Sequence, residues 1–195
     1  MTEPAPECGQ YSAERYFELA ECGIIAPDDH VELLEGLIVA MAPQSPPHCA
    51  TITRVQQALQ GKLGLDVVVR VQMSFLAGPK SVPEPDIAVV PGRAEDYFEK
   101  HPSRAHLIVE VAQSTVIQDR ITKAAIYARA GIPCYWIVNV RDRCVEVFRG
   151  PDRWKAEYAS VVSATGTQLL TIDAYPEVTF EAAELLPPAP VDEES

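Results

Sequence analysis

Leu107-Ile108-Val109-Glu110-Val111-Ala112 is an apolar run with a single carboxylate set inside it. Behind it, residues 116–130 carry Ile121, Ala124, Ala125 and Ala128 as a helical stripe closed by Gly131, and a second apolar run extends from Cys134 to Val140. Apolar residues three and four apart mark one buried helix face, and short β-branched runs bounded by turn residues mark buried strands. Strand, crossover helix and strand in this order indicate an α/β fold with a central mixed sheet flanked by helices.

The elements upstream fit the same plan. Ser12 is placed to cap a helix through about Cys22, which Gly23 stops. His30 to Leu34 and Leu37 to Met41 are joined by Glu35-Gly36, the link of an extra β-hairpin. Pro46 and Pro47 open a second helix, in which Ile52, Val55, Leu59 and Leu63 recur on one face and Gly64 marks the end. Strands are predicted at Asp66 to Val71, Met73 to Leu76, Asp86 to Val90 and His106 to Val111. Beyond the crossover, further strands are predicted at Cys144 to Arg149, Lys155 to Val162 and Val178 to Phe180. Residues 11–186 form the expected domain, preceded by a flexible segment 1–10 and followed by a disordered acidic, proline-rich tail, 187–195.

Composition narrows the function. A chain of 195 residues with 47% hydrophobic content buries a core without staples, and its five scattered cysteines lack a CxxC pair, which points to a reducing cytoplasm. Nothing approaches the roughly 20 apolar residues of a membrane span. A net charge of −12 counts against sequence-independent attraction to a polyanion, although a local basic face or a bound cation can reverse the local potential.

The sharpest chemical signal is a pair of strand carboxylates. Asp86, in Pro85-Asp86-Ile87-Ala88-Val89-Val90, and Glu110 stand 24 residues apart, so neighbouring strands can bring them together. Two carboxylates close together repel, and a shared divalent cation removes the penalty. Glu32, in Val31-Glu32-Leu33-Leu34, offers a third acid. Such a site serves metal-assisted hydrolysis, with a nearby lysine stabilising charge on a phosphate. Each residue also has an ordinary reading. Asp86 fits a loop exit, Glu32 an edge-strand charge, and Lys123 a solvated helix side chain paired with Asp119. His48 and Gln72 fit either a site or local hydrogen bonding, and Tyr135 and Trp136 read as core.

Val31-Glu32-Leu33-Leu34-Glu35-Gly36, Pro83-Glu84-Pro85-Asp86, Val109-Glu110-Val111-Ala112, Asp119-Arg120, Lys123-Ala124-Ala125-Ile126-Tyr127 and Tyr135-Trp136-Ile137-Val138 occur in an order that resembles the Uma family, a branch of the PD-(D/E)XK nucleases. The resemblance implies a restriction-endonuclease-like core and an endonuclease that uses Mg²⁺ or Mn²⁺ on DNA. A homodimer is expected on separate grounds, since it would help span two strands and apolar edge strands in the C-terminal half could supply the interface. The resemblance also implies that Asp86, Glu110 and Glu32 hold metal and water. In the superfamily pattern a lysine stands two residues after the acid, where this chain has Ala112. By the resemblance, the cation comes instead from the following helix as Lys123. Two rival classes stand beside this one: a nuclease-fold binding protein without catalysis, and a hydrolase of small phosphoesters or nucleotides, which the acidic composition suits better.

Overall fold

The computed structural model describes residues 10–113 and 115–188. The expected flexible start and acidic tail lie outside the described residues, apart from positions 10, 187 and 188. Helix α1 (Ala13–Glu21) begins where Ser12 Oγ accepts the Arg15 N–H at 3.1 Å. Strands β1 (Val31–Leu34) and β2 (Leu37–Ala40) pair antiparallel through Glu35 and Gly36, whose φ values of 48° and 85° give the twisted two-residue turn that matches the strands. Helix α2 (Pro46–Lys62) has Ser45 as its cap and prolines in its first turn, and Ile52, Val55, Leu59 and Leu63 are all buried as the spacing predicts.

A six-stranded sheet forms the centre of the molecule, in the order β3 (Val67–Val71), β4 (Ile87–Pro91), β5 (Leu107–Ala112), β6 (Cys134–Asn139), β7 (Cys144–Asp152) and β8 (Glu157–Ala164). Only β5 and β6 run parallel, because only they are joined by a helical crossover. The crossover comprises α3 (Val116–Gln118), a π-helical turn (Asp119–Lys123) and α4 (Ala124–Ala130), and it ends at Gly131 with φ 77°. A second hairpin, β9 (Leu169–Ile172) with β10 (Tyr175–Glu181), precedes the short helix α5 (Ala182–Leu185).

Alternation along the strands divides the core into two layers. Val109 and Val111 of β5 and Trp136 and Val138 of β6 pack with α2, α5 and the β9–β10 hairpin. Ile108 and Ala112 face the other way, toward Ala124, Ile126 and Tyr127 of α4 and Leu34 of the first hairpin. No helix among the described residues is long and apolar enough to cross a membrane.

Two local expectations change. Residues 73–76 form no strand. Phe75 N–H bonds the Pro83 carbonyl and Ala77 N–H bonds Ser81, but Pro83 and Pro85 have no N–H to return, so a ladder cannot propagate. The crossover stripe also shifts: Ile121 is 66% exposed, whereas Asp119, Lys123, Ala124 and Tyr127 are buried. The cause is the π turn, in which Ala124 N–H reaches the Asp119 carbonyl five residues back and rotates the helical face.

Candidate active site

The β4–β5 register pairs Ile87 with Val109, which places Asp86 opposite Glu110 on the crossover side of the sheet. Asp86 is fixed by its neighbour strand: Val111 N–H donates to Oδ2 at 2.8 Å, and Asp86 N–H points at Glu110 Oε2 at 3.5 Å. The second carboxylate oxygen, Oδ1, lies 3.3 Å from both Gln72 Nε2 and His48 Nε2. Gln72 reaches it from just beyond β3 with a φ of 50°, a left-handed conformation that a non-glycine residue rarely holds. That conformation is retained by its N–H, which lies 3.2 Å from both the Pro85 and Asp86 carbonyls.

Glu110 is 3% exposed and sits beneath the crossover helix. Its Oε1 accepts from Tyr127 OH at 2.7 Å and from Lys123 Nζ at 3.1 Å, while Oε2 faces the long 3.5 Å contact from Asp86 N–H and keeps capacity for a proton or a cation. Lys123 and Tyr127 are four residues apart and therefore share a helix face. On its other side, Lys123 Nζ is 3.6 Å from Glu32 Oε2, and Glu84 N–H donates to that same oxygen at 3.2 Å. The hairpin thus delivers Glu32 to the lysine rather than to Asp86. Asp119, 3% exposed, accepts from Thr115 Oγ1 at 2.8 Å and adds a third negative charge in the neighbourhood of the amine.

Burial governs the electrostatics. It lifts the Glu110 carboxyl to about 8, against an opposing pull from Lys123, and lifts Asp119 to about 6. Burial alone would push the Lys123 amine down, but Glu110, Glu32 and Asp119 together outweigh it and hold the amine above the ordinary lysine range. The hydrogen bond to Asp86 raises His48 above its usual value despite partial burial. These groups open into one cavity of about 790 Å³, lined by Glu32, His48, Asp86, Glu110, Asp119 and Lys123 among others.

Mg²⁺ takes one or two carboxylates and fills its remaining positions with water and substrate phosphate. Asp86 and Glu110, hard oxygen donors on adjacent strands with room for solvent above them, fit that demand. Among the described residues no group of three or more His, Cys, Asp and Glu side chains is arranged to hold a metal ion, in keeping with Glu32 being turned to Lys123.

A family model described as "Putative restriction endonuclease", Uma2, matches residues 13–184. This chain belongs to the Uma2 family. The Uma2 match covers the hairpin acid, both strand carboxylates and the helix lysine, and the family is of nuclease type. Among solved structures, the fold is similar to a crystal structure described as a putative nuclease belonging to DUF820 from Anabaena variabilis ATCC 29413. That likeness has a TM-score of 0.68 and 14% identity, and covers 90% of this chain and 97% of the other. No curated protein matches this chain. The geometry also accounts for Ala112 in this Uma2 sequence. Ala112 is buried on the same face of β5 as Glu110, where the crossover helix covers it and brings in Lys123 from above.

Tyr127, Asp119 and Glu84 are site residues that the sequence reading did not assign. Tyr127 carried a usable signal, because a tyrosine that falls on the apolar stripe with Ala124 and Ala128 needs a partner for its hydroxyl.

Proposed function

We propose that this Uma2 protein is a nuclease that hydrolyses phosphodiester bonds of DNA with Mg²⁺ or Mn²⁺ held between Asp86 and Glu110. The observation that supports this reading most is the convergence of Asp86, Glu110 and Lys123 on one cavity. When bound, the cation supplies Lewis acidity toward a phosphoryl oxygen and makes water a better nucleophile. Lys123 holds its proton beside Glu110 and presents positive charge where negative charge builds up on the phosphate. Tyr127 fixes the Glu110 carboxylate, and Glu32 restrains Lys123 from the opposite side. A two-fold dimer would present two such cavities to the two strands of a duplex.

The test is a supercoiled plasmid incubated with the protein in Mn²⁺ or EDTA. The expected result is metal-dependent nicking that is absent in Glu110→Gln; identical traces from the two proteins would refute the reading.

A second reading, hydrolysis of small phosphoesters or nucleotides, has one observation in its favour. Lys123 is the only Lys or Arg among the described residues lining the cavity, and phosphate tracking along a duplex depends on several such contacts. Nucleotide and dinucleotide substrates run beside the plasmid distinguish the two.

Cation binding requires an ionised Glu110, and its carboxyl is held at about 8. Below that value the metal must displace a proton, so the apparent Mn²⁺ affinity is expected to climb roughly tenfold per pH unit toward pH 8 and then level off. Calorimetric titrations at pH 6, 7 and 8.5 measure this directly. Proton release, read from the buffer dependence of the heat, should shrink over the same range.

A further inference from the structure

We propose that the Arg120–Glu146 ion pair holds Lys123 over Glu110, which makes Arg120 and Glu146 positioning residues for the site. Glu110 pairs with Ile137, and Ile137 pairs with Glu146, so the three form one row across β5, β6 and β7. Glu146 therefore lies two strand spacings, roughly 10 Å, from Glu110 on the same face. The π turn lies across this row with one cation at each end. Lys123 Nζ meets Glu110 Oε1 at 3.1 Å, while Arg120 grips Glu146 through Nε to Oε2 at 2.7 Å and Nη2 to Oε1 at 2.6 Å.

The anchor is itself braced. Glu146 is 6% exposed, and the fully buried Asn139 donates to its Oε1 at 3.3 Å and to Asp142 Oδ2 at 2.9 Å. Asp142 N–H returns a bond to Asn139 Oδ1 at 2.9 Å, so the β6–β7 turn sets the carboxylate in place. A third tether comes from Tyr135 OH to the Asp119 carbonyl at 3.2 Å. The π turn is rarer than the α-helix and leaves the regular ladder, so its rotation must be fixed from outside. A two-pronged guanidinium–carboxylate bond has the direction to do this. Arg120 does not line the cavity and therefore acts through the turn.

This inference rests on the role proposed for Lys123, but its test does not need turnover. Wild type, Arg120→Ala, Arg120→Lys and Glu146→Gln are treated with a trace of amine-acylating reagent, and each lysine is quantified by peptide mass spectrometry. Lys123 is 8% exposed and should resist labelling in the wild type. Its labelling is expected to rise at least about tenfold in Arg120→Ala and Glu146→Gln, the factor that corresponds to losing a charged hydrogen bond of roughly 1.5 kcal/mol, with the exposed Lys155 unchanged. Arg120→Lys should fall between, because an ammonium cannot reproduce both prongs. Where plasmid cleavage is measurable, kcat should drop in parallel while KM stays at its wild-type value. Circular dichroism identifies any variant that unfolds, and the remaining variants then carry the comparison. Lys123 that stays protected in folded Arg120→Ala and Glu146→Gln overturns the proposal. A wild type without nuclease activity would leave this result standing and would count against the functional reading alone.

Discussion

Asp86→Asn is expected to abolish Mn²⁺ binding and lower phosphodiester cleavage by about 10³-fold while the fold survives, the scale associated with losing a preorganised charge at a reacting centre. Asparagine keeps the shape of the side chain and an oxygen for the Val111 N–H, so the 2.8 Å bond that ties β4 to β5 can persist. What disappears is the negative charge facing the cavity. The metal-free variant should therefore melt close to the wild type. The difference appears on adding metal. A ligand that binds only the native state stabilises by about 2.7 kcal/mol at one hundred times its dissociation constant. Wild type should show that gain with Mn²⁺ and Asp86→Asn should show none. A variant that retains wild-type Mn²⁺ affinity removes Asp86 from the ligand set, whatever its activity.

The parts of this site that could be read in the sequence are those that depend on strand register. Asp86 and Glu110 each sit among β-branched neighbours, and period-two alternation puts them on the same face once β4 and β5 pair. Lys123 needed more. From sequence it stood four residues after Asp119 and fitted an exposed ion pair, yet both residues are buried in the site. The reason is the π turn, which no periodicity announces, and which exposes Ile121 where a regular helix would bury it. Residues 73–76 failed as a strand for the opposite reason. Their apolar composition suits a strand, but the partner segment contains Pro83 and Pro85, and propensity in one strand says nothing about donors in its neighbour. Strand β9 escaped because only four residues form it and its burial comes from packing against the far face of the sheet.

Charge beneath the crossover helix is balanced between the buried acids and a single amine. Burial lifts the Glu110 carboxyl to about 8 and the neighbouring acids push the same way, while the Lys123 amine pulls it back only in part. A metal arriving between Asp86 and Glu110 would add charge of the sign that these acids lack. The Lys123 amine and the cation are thus two partially interchangeable answers to the same excess of buried negative charge, but only one of them belongs to the chain.

Lys123→Met separates those two answers. Above pH 8 it is expected to destabilise the metal-free protein by about 3–5 kcal/mol, because removing one partner strands buried carboxylates at Glu110 and Glu32. The penalty should shrink as pH falls. Glu110 has a native value of about 8, above the ordinary 4.5, so between those limits the native state binds more protons than the unfolded chain and loses stability as pH rises. Lys123 pulls that value down, so its loss moves the window upward and makes the variant depend more steeply on protonation. Urea midpoints at pH 5.5 and 8.5 measure the effect; equal deficits at the two values would show that Glu110 is not the group left stranded. Mn²⁺ at pH 8.5 should recover much of the stability by supplying positive charge at Glu110. Cleavage should nonetheless stay about 10²-fold or more below wild type, because the cation cannot also occupy the position from which the amine meets the phosphate.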